Sequence, residues 1–141
     1  NWDMAGSSPG VTEVQAGAYA LMHLMHRYHT EFRVALKMLH TVVSHPAKDR
    51  VILDGGHYAV GHTYGLIPEV EHPTGAKVKK LNSEHIILEV EGDAAQLQPG
   101  DKLLLTMAYS GTASNVFSHY FGVRNGKVET VWEIAGRGRL Q

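Results

Sequence analysis

Cysteine is absent from the chain, which excludes disulfide bonds and thiolate metal centres and fits a reducing, cytoplasmic location. No apolar run reaches the length needed to cross a bilayer, so no membrane attachment is expected. The opening Asn1-Trp2-Asp3-Met4-Ala5-Gly6 carries neither a basic n-region nor an apolar h-region, and no signal peptide is read there. Positive charge is also scarce as a cluster. Thirteen Lys and Arg stand against fourteen Asp and Glu for a net charge of −1, scattered along the chain, and this leaves no electrostatic footprint for nucleic acid. No internal repeat or low-complexity tract interrupts the 141 residues, which are enough to bury one core.

What the chain has in excess is histidine, ten in all. His is the side chain best suited to relay protons or bind metal near neutral pH. The densest group is His23, His26 and His29. At i, i+3 spacing these share a face of a helix and could chelate, whereas on an extended segment they diverge. Scattered, hydrogen-bonded histidine is the default expectation for this group, for His29-Thr30-Glu31 and for the His57 to His62 pair.

The most informative stretch is the last forty residues. A Pro99-Gly100-Asp101 turn leads to the apolar Leu103-Leu104-Leu105, then to the small-residue loop Met107-Ala108-Tyr109-Ser110-Gly111, and on to Gly122-Val123-Arg124-Asn125-Gly126-Lys127-Val128-Glu129. Alternation around an Asn-Gly pair predicts a hairpin. A lone Tyr among Gly, Ala and Ser is either an incidental turn residue or a ligand contact held by a rigid sheet.

Earlier in the chain, Val11 to Tyr19 alternates and is broken by Gly17, which predicts a strand running into a turn. Phe32 to Ser44 is compatible with helix or strand. Its β-branched finish before Ser44-His45-Pro46 favours strand at least in the second half, followed by Arg50 to Asp54 and a Gly55-Gly56 turn. Further strands are expected at about 76–81, 85–90, 101–107, 115–123 and 127–135. Short strands with turn signals at this spacing predict a mainly β barrel or sandwich.

Five segments occur together in an order that resembles the D-threonine aldolase and D-serine dehydratase family. They are Gly10 to Tyr19, Thr41 to Pro46, Leu53 to Gly56, Ser83-Glu84-His85 and Gly122 to Gly126. These are pyridoxal-phosphate enzymes of the alanine-racemase-like fold type, with an N-terminal α/β barrel and a C-terminal β-domain. The resemblance spans nearly all of this chain but only the C-terminal third or so of such an enzyme. It implies that residues 1–31 are the end of the barrel, including a turn on the cofactor-phosphate side, and that 32–141 form the C-terminal β-domain.

The same resemblance implies a lyase acting on a D-amino or D-3-hydroxyamino acid, a homodimer, and an N-terminal barrel portion as partner. Its alternatives are a racemase or decarboxylase of the same fold type, or a non-catalytic or degenerate β-domain. The lysine that binds pyridoxal phosphate in this family lies near the barrel's start, ahead of all seven lysines here, so this chain alone lacks the covalent anchor. Gly17 and Tyr19 are implied to lie near the cofactor phosphate. The family's usual metal pair, His-x-Asp or His-x-Cys, falls on Tyr109 and Gly111, which makes a divalent metal doubtful and no metal ligand is assigned. Tyr109-Ser110-Gly111 instead resembles the Tyr loop of decarboxylases of this fold type, and Tyr109 is expected to be the catalytic residue. Glu84-His85 and Asp54 are weaker candidates, and His57-Tyr58 is given no role.

Overall fold

The computed structural model describes residues 2–61 and 65–139; His62 lies outside the described residues. Alternation of apolar and polar side chains sets the strands, because successive Cβ atoms point to opposite faces. In β1 (Lys37–Ala47) the buried positions are His40 and Val42, and in β2 (Arg50–Asp54) they are Val51 and Leu53. A short helix α2 (His57–Val60) and the two-residue strand β3 (Glu69–Val70) follow. Then come β4 (Ala76–Leu81), β5 (His85–Val90) and β6 (Lys102–Thr106). Val78, the Ile86-Leu88-Val90 set and the Leu103-Leu105 pair all face the same interior, joined by Val60, Met107 and Ala113.

All pairings are antiparallel and the order is β3-β6-β1-β2-β5-β4. The two edge strands, β3 and β4, approach each other, so the sheet is nearly closed and barrel-like. Burying a leucine such as Leu53 or Leu88 completely in such a core is worth roughly 2–5 kcal/mol as read by truncation to Ala. A 3-10 turn over Gly92–Gln96 closes the interior with Ala94 and Leu97.

The sequence expectations for 76–81, 85–90, 101–107 and 127–135 match β4, β5, β6 and β8 (Lys127–Glu133) to within two residues. Phe32 to Ser44 resolves as strand, which begins at Lys37 and runs past the expected Ser-His-Pro stop to Ala47. A register shift between Ser44 and Ala47 leaves Pro46 unpaired, so its missing N–H interrupts no ladder bond.

Two expectations are corrected. Val11 to Tyr19 is not a strand: residues 11–17 are irregular and Ala18–Ala20 is a 3-10 turn, preceded by helix α1 (Trp2–Ser7). Alternation makes a strand only when a neighbour supplies the ladder, and Val11 and Val14 stay exposed. The expected strand at 115–123 begins only at His119, because Ser110–Ser114 forms helix α3 and the chain needs 115–118 to leave it. Strands β7 (His119–Arg124) and β8 then pair as a separate hairpin. Its turn places Asn125 at φ 50° and Gly126 at φ 73°, the left-handed pair that Asn-Gly predicts.

The hairpin is tied to the rest by Tyr120 Oη, which donates to Ser114 Oγ at 2.5 Å, and by Ile134 N–H, which donates to Ser118 O at 2.8 Å. Trp132 lies over Gly122. Register puts Phe121, Val123, Val128 and Val131 on one face of the hairpin, and all four are exposed. Among the described residues no helix is long and apolar enough to cross a membrane.

Candidate functional site

Where β6 ends, the chain runs through small residues, and this lets other segments come close. Met107 and Ala108 are buried, Tyr109 is extended at φ −146°, and Ser110 starts α3. The 3-10 turn Leu24–His26 docks on this loop through Leu24 N–H, which donates to Met107 O at 3.0 Å. Leu21 O accepts from both Ala35 and Leu36, which pins the same segment to the entrance of β1. Between these anchors Met22 is buried with φ at +53°, a left-handed conformation that costs a non-glycine residue about 1–2 kcal/mol. Strain of this kind persists where the surroundings over-determine it, and the next residue is His23.

His23 is only 2% exposed. Its Nδ1 lies 3.0 Å from Ser110 Oγ, its ring meets the edge of Tyr109 at 4.9 Å between centroids, and His26 stands 4.6 Å away. Its Nε2 has no hydrogen-bond partner among the described residues. Burial pushes its pKa below the ordinary imidazole value, and the neighbouring His26 pushes it further down, so the ring is neutral near pH 7.

Two adjoining cavities open here. One of about 240 Å³ is walled by Gly17, His23, His26, Tyr109, Ser110 and Gly111, with Ala18 and Leu21. The other, about 470 Å³, is lined by Gly17, Tyr19, Met22, His26, His29 and Phe32 among others. Tyr109 and Gly17 therefore meet on one cavity, and Gly17 and Tyr19 on the next. Tyr19 is 55% exposed and its ring leans on Phe32 at 6.0 Å. A Cβ at Gly17 would meet nothing within 4 Å, so its backbone is open to an approaching group. No lysine lines either cavity among the described residues.

His23 and His26 are the residues that sequence reading flagged without placing in the site. Their local spacing was visible, but their convergence on Tyr109 depends on the docking of residues 24 and 107. No group of three His, Cys, Asp or Glu among the described residues could hold a metal ion.

The weaker candidates fall elsewhere. Asp54 Oδ1 accepts from the Thr41 amide at 2.8 Å and lies 3.2 Å from His40 Nδ1, which also donates to the Asp54 carbonyl. Burial would raise the Asp54 pKa, but these two donors hold it below the ordinary value. The Ser83-Glu84-His85 segment docks by main chain on the Gly55-Gly56 turn. His57 N–H and Tyr58 N–H donate to Asn82 O and Ser83 O, and the Gly56 Cβ position would lie 2.3 Å from His85 N. Those motifs close the fold rather than line the cavities.

A nearly closed antiparallel sheet with a His- and Tyr-walled cleft at its rim is the architecture of a small β-barrel domain. The chain belongs to the family described as "Putative serine dehydratase domain", which its residues 35–123 match. It is 35% identical to a 3-hydroxy-D-aspartate aldolase of Paracoccus denitrificans, over 94% of this chain and 36% of that protein. It is also 35% identical to a D-threonine aldolase of an Arthrobacter species, over 90% of this chain and 35% of the relative. The chain thus spans little more than a third of the length of these relatives. Among solved structures it superposes on D-threonine aldolase from Filomicrobium marinum with a TM-score of 0.90 at 25% identity, covering 99% of this chain and 40% of that one. D-threo-3-hydroxyaspartate dehydratase from Delftia sp. HT23 gives 0.77 at 28% identity, over 92% and 40%.

Proposed function

We propose that this chain is the C-terminal β-domain of a pyridoxal-phosphate-dependent lyase that acts on a D-3-hydroxyamino acid or a related D-amino acid. The observation that carries the reading is the meeting of Gly17 and Tyr109 on one cavity, in a chain whose relatives are D-amino-acid aldolases and dehydratases. Residues 1–31 belong with an N-terminal barrel that carries the anchoring lysine, and residues 32–141 are the β-domain proper. The enzyme is a cytoplasmic homodimer with the Tyr109 loop at a site shared between subunits, and the exposed apolar face of the β7–β8 hairpin supports burial against another body.

The residues fit pyridoxal phosphate. The open backbone at Gly17 gives its phosphate room for close approach, and Tyr19 flanks the same wall. The bound cofactor supplies an electron sink for bonds broken at the substrate Cα. Tyr109 orients the substrate and donates a hydrogen bond from its phenol within the cavity. A divalent ion does not fit the family's usual ligand positions, since Gly111 offers no ligand and the Tyr109 ring lies over it. No step is assigned to a metal.

The Tyr109-Ser110-Gly111 loop also favours a second reading, a decarboxylase or racemase of the same fold type. One experiment separates them. The intact enzyme, loaded with pyridoxal phosphate, is incubated with D-threonine, and products are identified. Glycine with acetaldehyde supports aldol cleavage and 2-oxobutanoate with ammonia supports dehydration. Carbon dioxide or L-allothreonine, the product of inversion at Cα alone, would overturn the aldolase or dehydratase reading.

A further inference from the structure

Among the described residues three buried histidines leave Nε2 without a hydrogen-bond partner: His23, His40 and His45. His40 is locked against Asp54 and His45 against Leu97 O, and neither lines the two cavities. His23 borders the smaller cavity, yet its Nε2 is buried and the ring offers it to no ligand. An apolar ring would fill the same space without leaving a buried polar atom unpaired. The left-handed backbone of Met22 adds a second local cost beside it. What an imidazole supplies here and a phenyl ring does not is its other nitrogen.

Nδ1 lies 3.0 Å from Ser110 Oγ in a buried contact. Whichever of the two carries the shared proton, the bond ties the ring to the residue that directly follows Tyr109. Ser110 is itself fixed at the start of α3, where its carbonyl accepts from Ser114 Oγ at 2.7 Å, and Ser114 Oγ accepts from Tyr120 of β7. The imidazole therefore stands on a run of hydrogen bonds that reaches the hairpin. It meets the Tyr109 ring at 69°, the edge-to-face arrangement that aromatic pairs prefer. On its own loop Tyr109 has only small neighbours, Ala108, Ser110 and Gly111, and such neighbours leave a side chain's torsions open unless another segment restricts them.

We propose that His23 is a positioning residue for Tyr109: anchored to Ser110 through Nδ1, its ring sets the angle at which the Tyr109 phenol stands at the cavity. This rests on the reading above in which Tyr109 donates a hydrogen bond within the cavity. No proton passes through His23. Its effect is that the phenol is oriented before substrate arrives, so the reaction does not bear the cost of ordering it.

The test is a double-mutant cycle on the intact enzyme loaded with pyridoxal phosphate, with D-threonine as probe. Ser110→Ala leaves both rings in place and removes the anchor. It is expected to lower kcat about tenfold with KM within about threefold of wild type. In the Tyr109→Phe background, where the phenol is already gone, it should lower kcat no further, whereas the losses of a merely structural change would multiply. Ser110→Thr, which keeps the hydroxyl, should recover most of the loss. If Ser110→Ala fails to fold, His23→Asn takes its place in the cycle with the same expected non-additivity, since its amide keeps a hydrogen-bonding group toward Ser110 while the ring is lost.

A second readout needs no turnover. In ¹⁹F NMR of the cofactor-loaded enzyme carrying 3-fluorotyrosine, residue 109 is assigned by the line that Tyr109→Phe removes, and that line should shift or broaden in Ser110→Ala. Losses that multiply in the cycle, or a residue 109 line unmoved in Ser110→Ala, would each overturn the positioning role. A wild type that processes no 3-hydroxy-D-amino acid would overturn the lyase reading instead, and the ¹⁹F line would still decide whether the His23–Ser110 pair holds Tyr109.

Discussion

The ring of Tyr109 lies across Gly111, where an added methyl carbon would sit 2.8 Å from Cε1, 3.1 Å from Cζ and 3.2 Å from the phenol oxygen. The position two residues beyond Tyr109 is therefore small because the Tyr itself occupies the space. Gly111→Ala should swing the ring away from the cavity. Turnover is expected to fall about tenfold, the effect of one misdirected hydrogen bond, while the thermal midpoint moves by only a few degrees. Steady-state kinetics beside a melting curve checks this, and a collapse of the midpoint with turnover would show that the glycine serves folding instead.

Tyr109→Phe keeps the ring and removes the hydroxyl. Losing one such hydrogen bond costs roughly 1–3 kcal/mol, a five- to hundredfold fall in kcat when it acts in the transition state. The dissociation constant of pyridoxal phosphate, followed by absorbance titration, should change far less. Equal losses in both would remove Tyr109 from the chemistry.

Chelation should leave the rate unchanged, since Tyr109 and Gly111 stand where a ligand pair would be. Activity assayed after EDTA and dialysis, then with Mn²⁺ or Zn²⁺ restored, reads this directly. Loss with chelator and recovery with metal would move attention to the histidines from His23 to His29.

Acid should destabilise the fold in two stages. His23 has its folded pKa lowered by burial and by His26, so the unfolded chain binds the proton more readily and stability declines as pH drops below the ordinary imidazole value of about 6.5. Asp54 and Glu71 come next. Burial opposes ionisation of Glu71, but Lys37 and the Thr106 hydroxyl hold its pKa lowered, as Thr41 and His40 do for Asp54. Their contribution is complete above the unfolded carboxylate range of about 4 and is lost as pH falls through the lower folded values. Urea midpoints measured from pH 8 to pH 3 should fall in both windows, and the first decline should be absent in His23→Gln.

Gly56→Ala should be among the more damaging small substitutions. At φ +71° an added Cβ meets main-chain atoms, 2.3 Å from His85 N and 2.6 Å from Asn82 O, none of which can move aside as a side-chain tip would. A loss of about 2–4 kcal/mol in denaturant unfolding is expected. A loss below about 0.5 kcal/mol, within the range of ordinary surface changes, would mean the turn relaxes freely.

The sheet was legible where a single face is buried. Ile86-Leu88-Val90 and Leu103-Leu105 alternate cleanly, and Asn125-Gly126 specifies its own turn, so β4 to β6 and the last hairpin could be read directly. Val11 to Tyr19 alternates equally well but has no described neighbour to pair with, and period-2 patterning carries no record of a partner. Tyr109 stood out by its small-residue loop and Gly17 through the family resemblance, but their place on one cavity comes from the fold and not from either segment's letters. The His23–Ser110 contact joins residues 87 positions apart. Neither residue type nor spacing announces it, because it is created when Leu24 docks on Met107.

The junction at Gly56 has one more consequence. Amides of His57 and Tyr58 hold carbonyls of Asn82 and Ser83 at 2.7 Å and 3.2 Å, so the contact is written in backbone and the letters at 82–85 are left without a vote. A saturation library should tolerate almost any side chain at the exposed Ser83, Glu84 and His85 while returning Gly alone at 56. In distant homologues this corner can keep its shape after its spelling has gone.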